Sequence, residues 1–138
     1  MTYLFDTAFC MDIIQKKPEE VLGRLQKLRE GEGCISAVTL AELKEAADRS
    51  AYPEQNTTAL MQFTAIFDLL PFDDYAAFEY GKLRAYIAEA GISLDTMQCM
   101  IAAHARAGKR ILVSSKPEQY EQIPGLQVAG STDFSLLR

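Results

Sequence analysis

A chain of 138 residues, 49% hydrophobic and 24% charged, has the size and composition of a single globular domain spanning 1–138. No apolar run approaches the length of a membrane span, and the opening Met1–Asp6 lacks the basic start and long apolar stretch of a signal peptide, so a cytoplasmic protein with no membrane association is expected. The net charge of −5 gives no basic footprint for nucleic acid but suits carboxylates that hold divalent cations, while three irregularly spaced cysteines argue against a disulfide framework or a zinc site.

In chain order, the first β-rich segment is Tyr3-Leu4-Phe5. Val21, Leu25 and Leu28 then repeat at helical spacing, with Pro18 favouring a start and Gly31 a stop. Cys34-Ile35 is a second strand, followed by a helical stripe of Leu40, Leu43 and Ala47 and another of Leu60, Phe63 and Phe67. Leu69-Leu70-Pro71-Phe72 is the third strand segment. Ala76, Tyr80, Leu83 and Ile87 make the next helix, closed by Gly91, and Met97, Ile101 and His104 mark a further one. Ile111-Leu112-Val113 and Leu126-Gln127-Val128 complete the strands.

Strands alternating with helices imply an α/β fold with a mostly parallel sheet covered on both faces. Ligand crevices in such sheets lie beyond the C-terminal strand ends. Asp6, directly after the first strand, therefore stands at the expected rim, although an aspartate there also reads as a helix cap. Glu42 borders the apolar face of its helix, with Val38, Thr39, Glu45 and Ala46 one turn away. A glutamate at a buried edge needs a partner, which either a metal or an arginine would supply.

Leu4-Phe5-Asp6-Thr7, Ile35-Ser36-Ala37-Val38-Thr39-Leu40-Ala41-Glu42-Leu43 and Leu70-Pro71-Phe72-Asp73 with Tyr80-Gly81-Lys82-Leu83-Arg84-Ala85 are similar, in order, to segments of PIN domains of the VapC toxin type. Ile101-Ala102-Ala103-His104-Ala105, Ile111-Leu112-Val113-Ser114 and Pro124-Gly125-Leu126 extend the resemblance from about residue 2 to residue 129. It implies a three-layer α/β/α fold with about five strands, and a magnesium- or manganese-dependent endoribonuclease acting as the toxin of a toxin–antitoxin pair. It also implies a homodimer, a cognate antitoxin and an RNA substrate. Three or four acidic or amide residues hold the metal in that family, and the metal generates the attacking hydroxide.

Asp6 and Glu42 match the first two family acids. The remaining positions depart from the pattern: Ala8 stands for an asparagine, Gln98 for the third acid, Ser115 for an asparagine or aspartate, and Gln119 for a glutamate beside Glu118. A magnesium or manganese ion is accordingly expected to be weakly bound or absent, and nuclease activity weakened or lost. The other reading keeps an active ribonuclease, with Asp95 or Glu118 completing a metal set with Asp6 and Glu42. Asp95 lies one turn before Gln98, but Asp95-Thr96-Met97-Gln98 also reads as a capping box, the favoured reading. His104 shares an apolar stripe and is expected to be a packed core residue. Thr7 and Ser36 would orient ligands near Asp6 or bond the local backbone. Lys16, Lys17, Arg106, Lys109, Arg110 and Lys116 are expected to be solvated surface more than a phosphate-facing patch.

Overall fold

Strand β1 (Tyr3–Phe5) is fully buried at all three residues, as a central parallel strand must be. In the computed structural model, which describes residues 1–134, it pairs in parallel with both β2 (Gly33–Ser36) and β4 (Ile111–Ser114). β3 (Asp68–Leu70) flanks β2, and β5 (Val128–Gly130) flanks β4, so the five-stranded parallel sheet runs β3-β2-β1-β4-β5. The chain builds outward from β1 to β3, then crosses to start again at β4. That reversal places a topological switch point between β1 and β4, where parallel sheets open a crevice.

The period of two along the strands divides the core. Tyr3, Phe5, Ile111 and Val113 face one side, packing with Phe9 and Ile13 of α1 (Thr7–Lys16), Val21 and Leu25 of α2 (Glu19–Gln26), Leu43 of α3 (Ala37–Asp48) and Leu60 of α4 (Pro53–Thr64). Leu4, Cys34 and Leu112 face the other, packing with Leu83 and Ile87 of α5 (Asp74–Ala90) and Ile101 and Ala102 of α6 (Thr96–Ala107). These are the three layers expected. Phe5 anchors the first side, its ring centroid 4.7 Å from Phe9, 5.3 Å from Phe67 and 5.1 Å from Phe134. The three cysteines lie buried in these two cores.

β1 and β2 run directly into helices, with a polar residue at each junction as the cap. Asp6 follows β1 and accepts from the Phe9 amide; Ser36, the last residue of β2, accepts from Val38. Both satisfy a helix's first free N–H groups without a loop. At the opposite end, Gly91 closes α5 with φ of 70°, a left-handed turn that glycine adopts freely.

Several element boundaries differ from the sequence expectation. α1 was not anticipated, because Thr7, Phe9, Cys10, Ile13 and Ile14 include β-branched and aromatic residues that read as strand. The third strand starts earlier, at Asp68, and stops at Leu70, since Pro71 has no N–H to continue a ladder. The fifth is displaced to Val128–Gly130. Leu28 and Phe67 lie beyond their helices, and Gly31 (φ 83°) sits in the following turn. Met97 is 41% exposed, so the buried stripe of α6 begins after it.

Candidate metal-site crevice

Asp6 leaves the end of β1 beside Ser114, the last residue of β4, and only 2% of it is exposed. Its Oδ1 accepts from the Phe9 amide at 2.8 Å, and its Oδ2 accepts from the Tyr120 hydroxyl at 3.2 Å. The Ser114 side chain, whose oxygen accepts from the Lys116 amide at 3.0 Å, is near enough to bear on it electrostatically. Burial raises the Asp6 pKa above its usual value; Ser114 and the bonds from Phe9 and Tyr120 oppose that rise, and the charge of Glu42 adds to it. Asp6 is thus both the helix cap and the rim residue anticipated from sequence.

Glu42 comes to the same rim from α3. The Thr7 hydroxyl donates to its Oε1 at 2.6 Å and lies 3.3 Å from the Thr39 hydroxyl, which is free to donate back. Thr7 follows Asp6, so this bond ties α3 to the start of α1. No arginine takes the role of partner to Glu42 among the ion pairs of the described residues.

The opposite wall meets the crevice with amides, backed by the Asp95 carboxylate. Asp95 and Gln98 form the reciprocal capping box at the start of α6: Gln98 N–H donates to Asp95 Oδ1 at 2.7 Å, and Asp95 N–H donates to Gln98 Oε1 at 3.1 Å. Because a backbone N–H can only donate, the Gln98 oxygen must face it, leaving its Nε2 to donate to Gln119 Oε1 at 2.8 Å. Gln119 belongs to the 3-10 turn Pro117–Tyr120, as does exposed Glu118; Ser115, half-buried, follows β4. Asp95 is exposed, yet close enough to bear electrostatically on Tyr120.

Tyr120 and Ser114 are the site residues that the sequence reading missed. Tyr120 is 1% exposed, and burial pushes its phenol far above the ordinary range, with the Asp6 charge and hydrogen bond adding to the shift. Its signal was the i, i+3 pair Tyr120 and Ile123 after Pro117. His104 packs as expected: it is 5% exposed, its Nδ1 is 2.8 Å from the Ser36 hydroxyl, and Phe72 meets it edge-on. Ser36 therefore serves its helix cap and His104 rather than Asp6. Of the basic residues, Lys16 pairs with Asp12, and Arg106 joins α6 to α5 through Glu79 at 2.7 Å.

A hard divalent cation is held by oxygen ligands, with carboxylates setting the charge. Two carboxylates, Asp6 and Glu42, share this rim, but among the described residues no three of His, Cys, Asp and Glu gather to hold a metal. At the third corner the one coordinating atom, Gln98 Oε1, is engaged by the Asp95 amide. Asp6 and Glu42 could hold a magnesium or manganese ion together with water, and the third corner offers it a neutral amide in place of a carboxylate.

The PIN-domain model matches residues 3–126, so the chain belongs to the PIN-domain family. Within it the chain is of the VapC type. It is 35% identical, over 92% of its length and 96% of the relative's, to the tRNA(fMet)-specific endonuclease VapC of Shigella flexneri. Its fold superposes with a TM-score of 0.90 on the DNA-bound VapBC of Salmonella typhimurium, at 31% identity over 95% of this chain and 98% of that one. VapBC2 of Rickettsia felis, bound to a promoter DNA fragment, also gives 0.90, at 29% identity over 94% and 98% of the two chains.

Proposed function

We propose that this chain is the VapC-like member of a toxin–antitoxin pair whose ribonuclease activity is much weakened or lost, and that it acts in the cytoplasm, as a homodimer, as a binding module for its antitoxin or for RNA. The observation that carries the weakened activity is the state of Gln98: a neutral amide at the third-acid position, bonded on one side to Asp95 and on the other to Gln119. An amide contributes no charge to offset a divalent cation and none to help deprotonate a bound water. A VapB–VapC assembly in the structural relatives supports the antitoxin as partner. No described helix is long and apolar enough to cross a membrane.

A second reading keeps the chain as an active magnesium- or manganese-dependent endoribonuclease using Asp6, Glu42 and Asp95 or Glu118. It is favoured by one observation, that the Asp95 charge reaches Tyr120, itself bonded to Asp6. Incubation of the purified protein with total RNA and manganese separates the two. The first reading expects no cleavage above that of Asp6→Ala. Robust cleavage that disappears in Asp6→Ala would overturn it, and loss of that cleavage in Asp95→Asn or Glu118→Gln would identify the replacement ligand.

A further inference from the structure

A carboxylate offers roughly four lone-pair sites. Two donors already converge on that of Asp6: the Phe9 amide and the Tyr120 hydroxyl. The Phe9 amide is a helix-cap bond fixed by the fold. Tyr120 differs, since its hydroxyl reaches Asp6 on a long side chain from a 3-10 turn, across 114 positions of sequence. With the residue 1% exposed, that hydroxyl has no solvent to turn to if Asp6 is taken from it. An abandoned buried hydroxyl costs its full desolvation.

The turn that carries Tyr120 is itself braced. Its neighbour Gln119 accepts from Gln98 Nε2 at 2.8 Å, and Gln98 Oε1 accepts from the Asp95 amide at 3.1 Å. These bonds are neutral amide contacts that need neither a cation nor a particular pH. Two carboxylates in the same positions would repel each other unless a cation lay between them. The substitutions therefore do more than remove charge; they close the corner with a bond of its own.

We propose that the Tyr120 hydroxyl competes directly with divalent cations for Asp6, as a positioning residue braced by the Gln98–Gln119 amide pair. This inference rests on the weakened-site reading above and adds its cause. A cation approaching Asp6 has to displace the phenol, and the amide pair holds the phenol's turn against that displacement.

Manganese chloride titrated calorimetrically into wild type, Tyr120→Phe and Gln119→Ala tests it. Tyr120→Phe keeps the buried ring and removes only the competing hydroxyl. It should bind manganese roughly tenfold more tightly than wild type, and Gln119→Ala about threefold, each gain vanishing when Asp6→Asn is added. A residue that merely fills space would leave affinity unchanged on Tyr120→Phe. Unchanged or weaker binding by a cooperatively melting Tyr120→Phe overturns the proposal. Should that variant not melt cooperatively, unchanged binding by exposed Gln119→Ala overturns it instead. RNA cleavage by wild type would defeat the weakened-nuclease reading without altering this comparison of affinities.

Discussion

The wall of the crevice made by β1, α1 and α3 presents Asp6 and Glu42, each held by a neighbouring hydroxyl or amide. The wall made by β4, α6 and the 3-10 turn presents Gln98, Gln119, Ser114 and Tyr120, none of them a carboxylate, with Asp95 and Glu118 at its exposed edge. The first wall is inseparable from the fold: its acid caps α1 and sits among buried residues. In the second, Gln98 and Gln119 lie at the surface, whereas Ser114 and Tyr120 are buried against the sheet. The Asp6 carboxylate thus has a structural role of its own as a helix cap, whereas carboxylates that face one another repel without a cation.

That contrast is broken most sharply by substituting Asp6. Asp6→Ala removes a helix cap, worth about 1 kcal/mol, and orphans the buried Tyr120 hydroxyl, worth about 1–3 kcal/mol, so a loss near 2–4 kcal/mol is expected in urea denaturation. Asp6→Asn keeps an acceptor for the Phe9 amide and sheds a carboxylate that burial disfavours, so it should cost much less. Equal losses in the two variants would show that the charge, not the hydrogen-bond geometry, is what the first wall preserves.

The pH dependence sharpens the same comparison. Asp6 has a raised folded pKa, so its contribution is full below 3.8 and is lost as pH rises through its folded value. His104 runs the other way. Burial first, with the Arg110 charge in the same direction and the Asp73 charge opposing, lowers its pKa below 6.5; its contribution is present above 6.5 and lost as pH falls through the folded value. Wild type should therefore lose stability on acidification below 6.5 relative to His104→Gln, measured by melting at stepped pH. Parallel curves for the two proteins would contradict that assignment. The smallest effect is expected at Gln119→Ala, within about 0.5 kcal/mol, because its bond to Gln98 is exposed and replaceable by water. A loss several times larger would make the amide pair a structural staple instead of a local brace.

Much of the architecture was legible in the sequence. Tyr3–Phe5, Ile111–Val113 and the stripe through Leu83 and Ile87 are short apolar runs or clean helical repeats, and the period alone assigns them. α1 was not legible, because its stripe of Phe9, Cys10 and Ile13 is composed of strand-favouring residues held helical by the Asp6 cap and by packing against Phe5. The Asp95–Gln98 capping box was readable from spacing and local chemistry, whereas Asp6 and Glu42 read locally as a cap and a half-buried acid and became site candidates through the family resemblance. The roles of Tyr120 and Ser114 were not readable, since a bond between residues 6 and 120 leaves no periodic trace in a single sequence.

Gln98→Asp puts a carboxylate at the third corner of the crevice, and manganese titrated into that variant beside wild type reads what the amide there costs in affinity. Wild type should bind negligibly or weakly, and Gln98→Asp at least roughly tenfold more tightly. Equal, tight binding by both proteins would contradict a weakened site, because it would mean that Asp6, Glu42 and the residues around them already make a competent metal site.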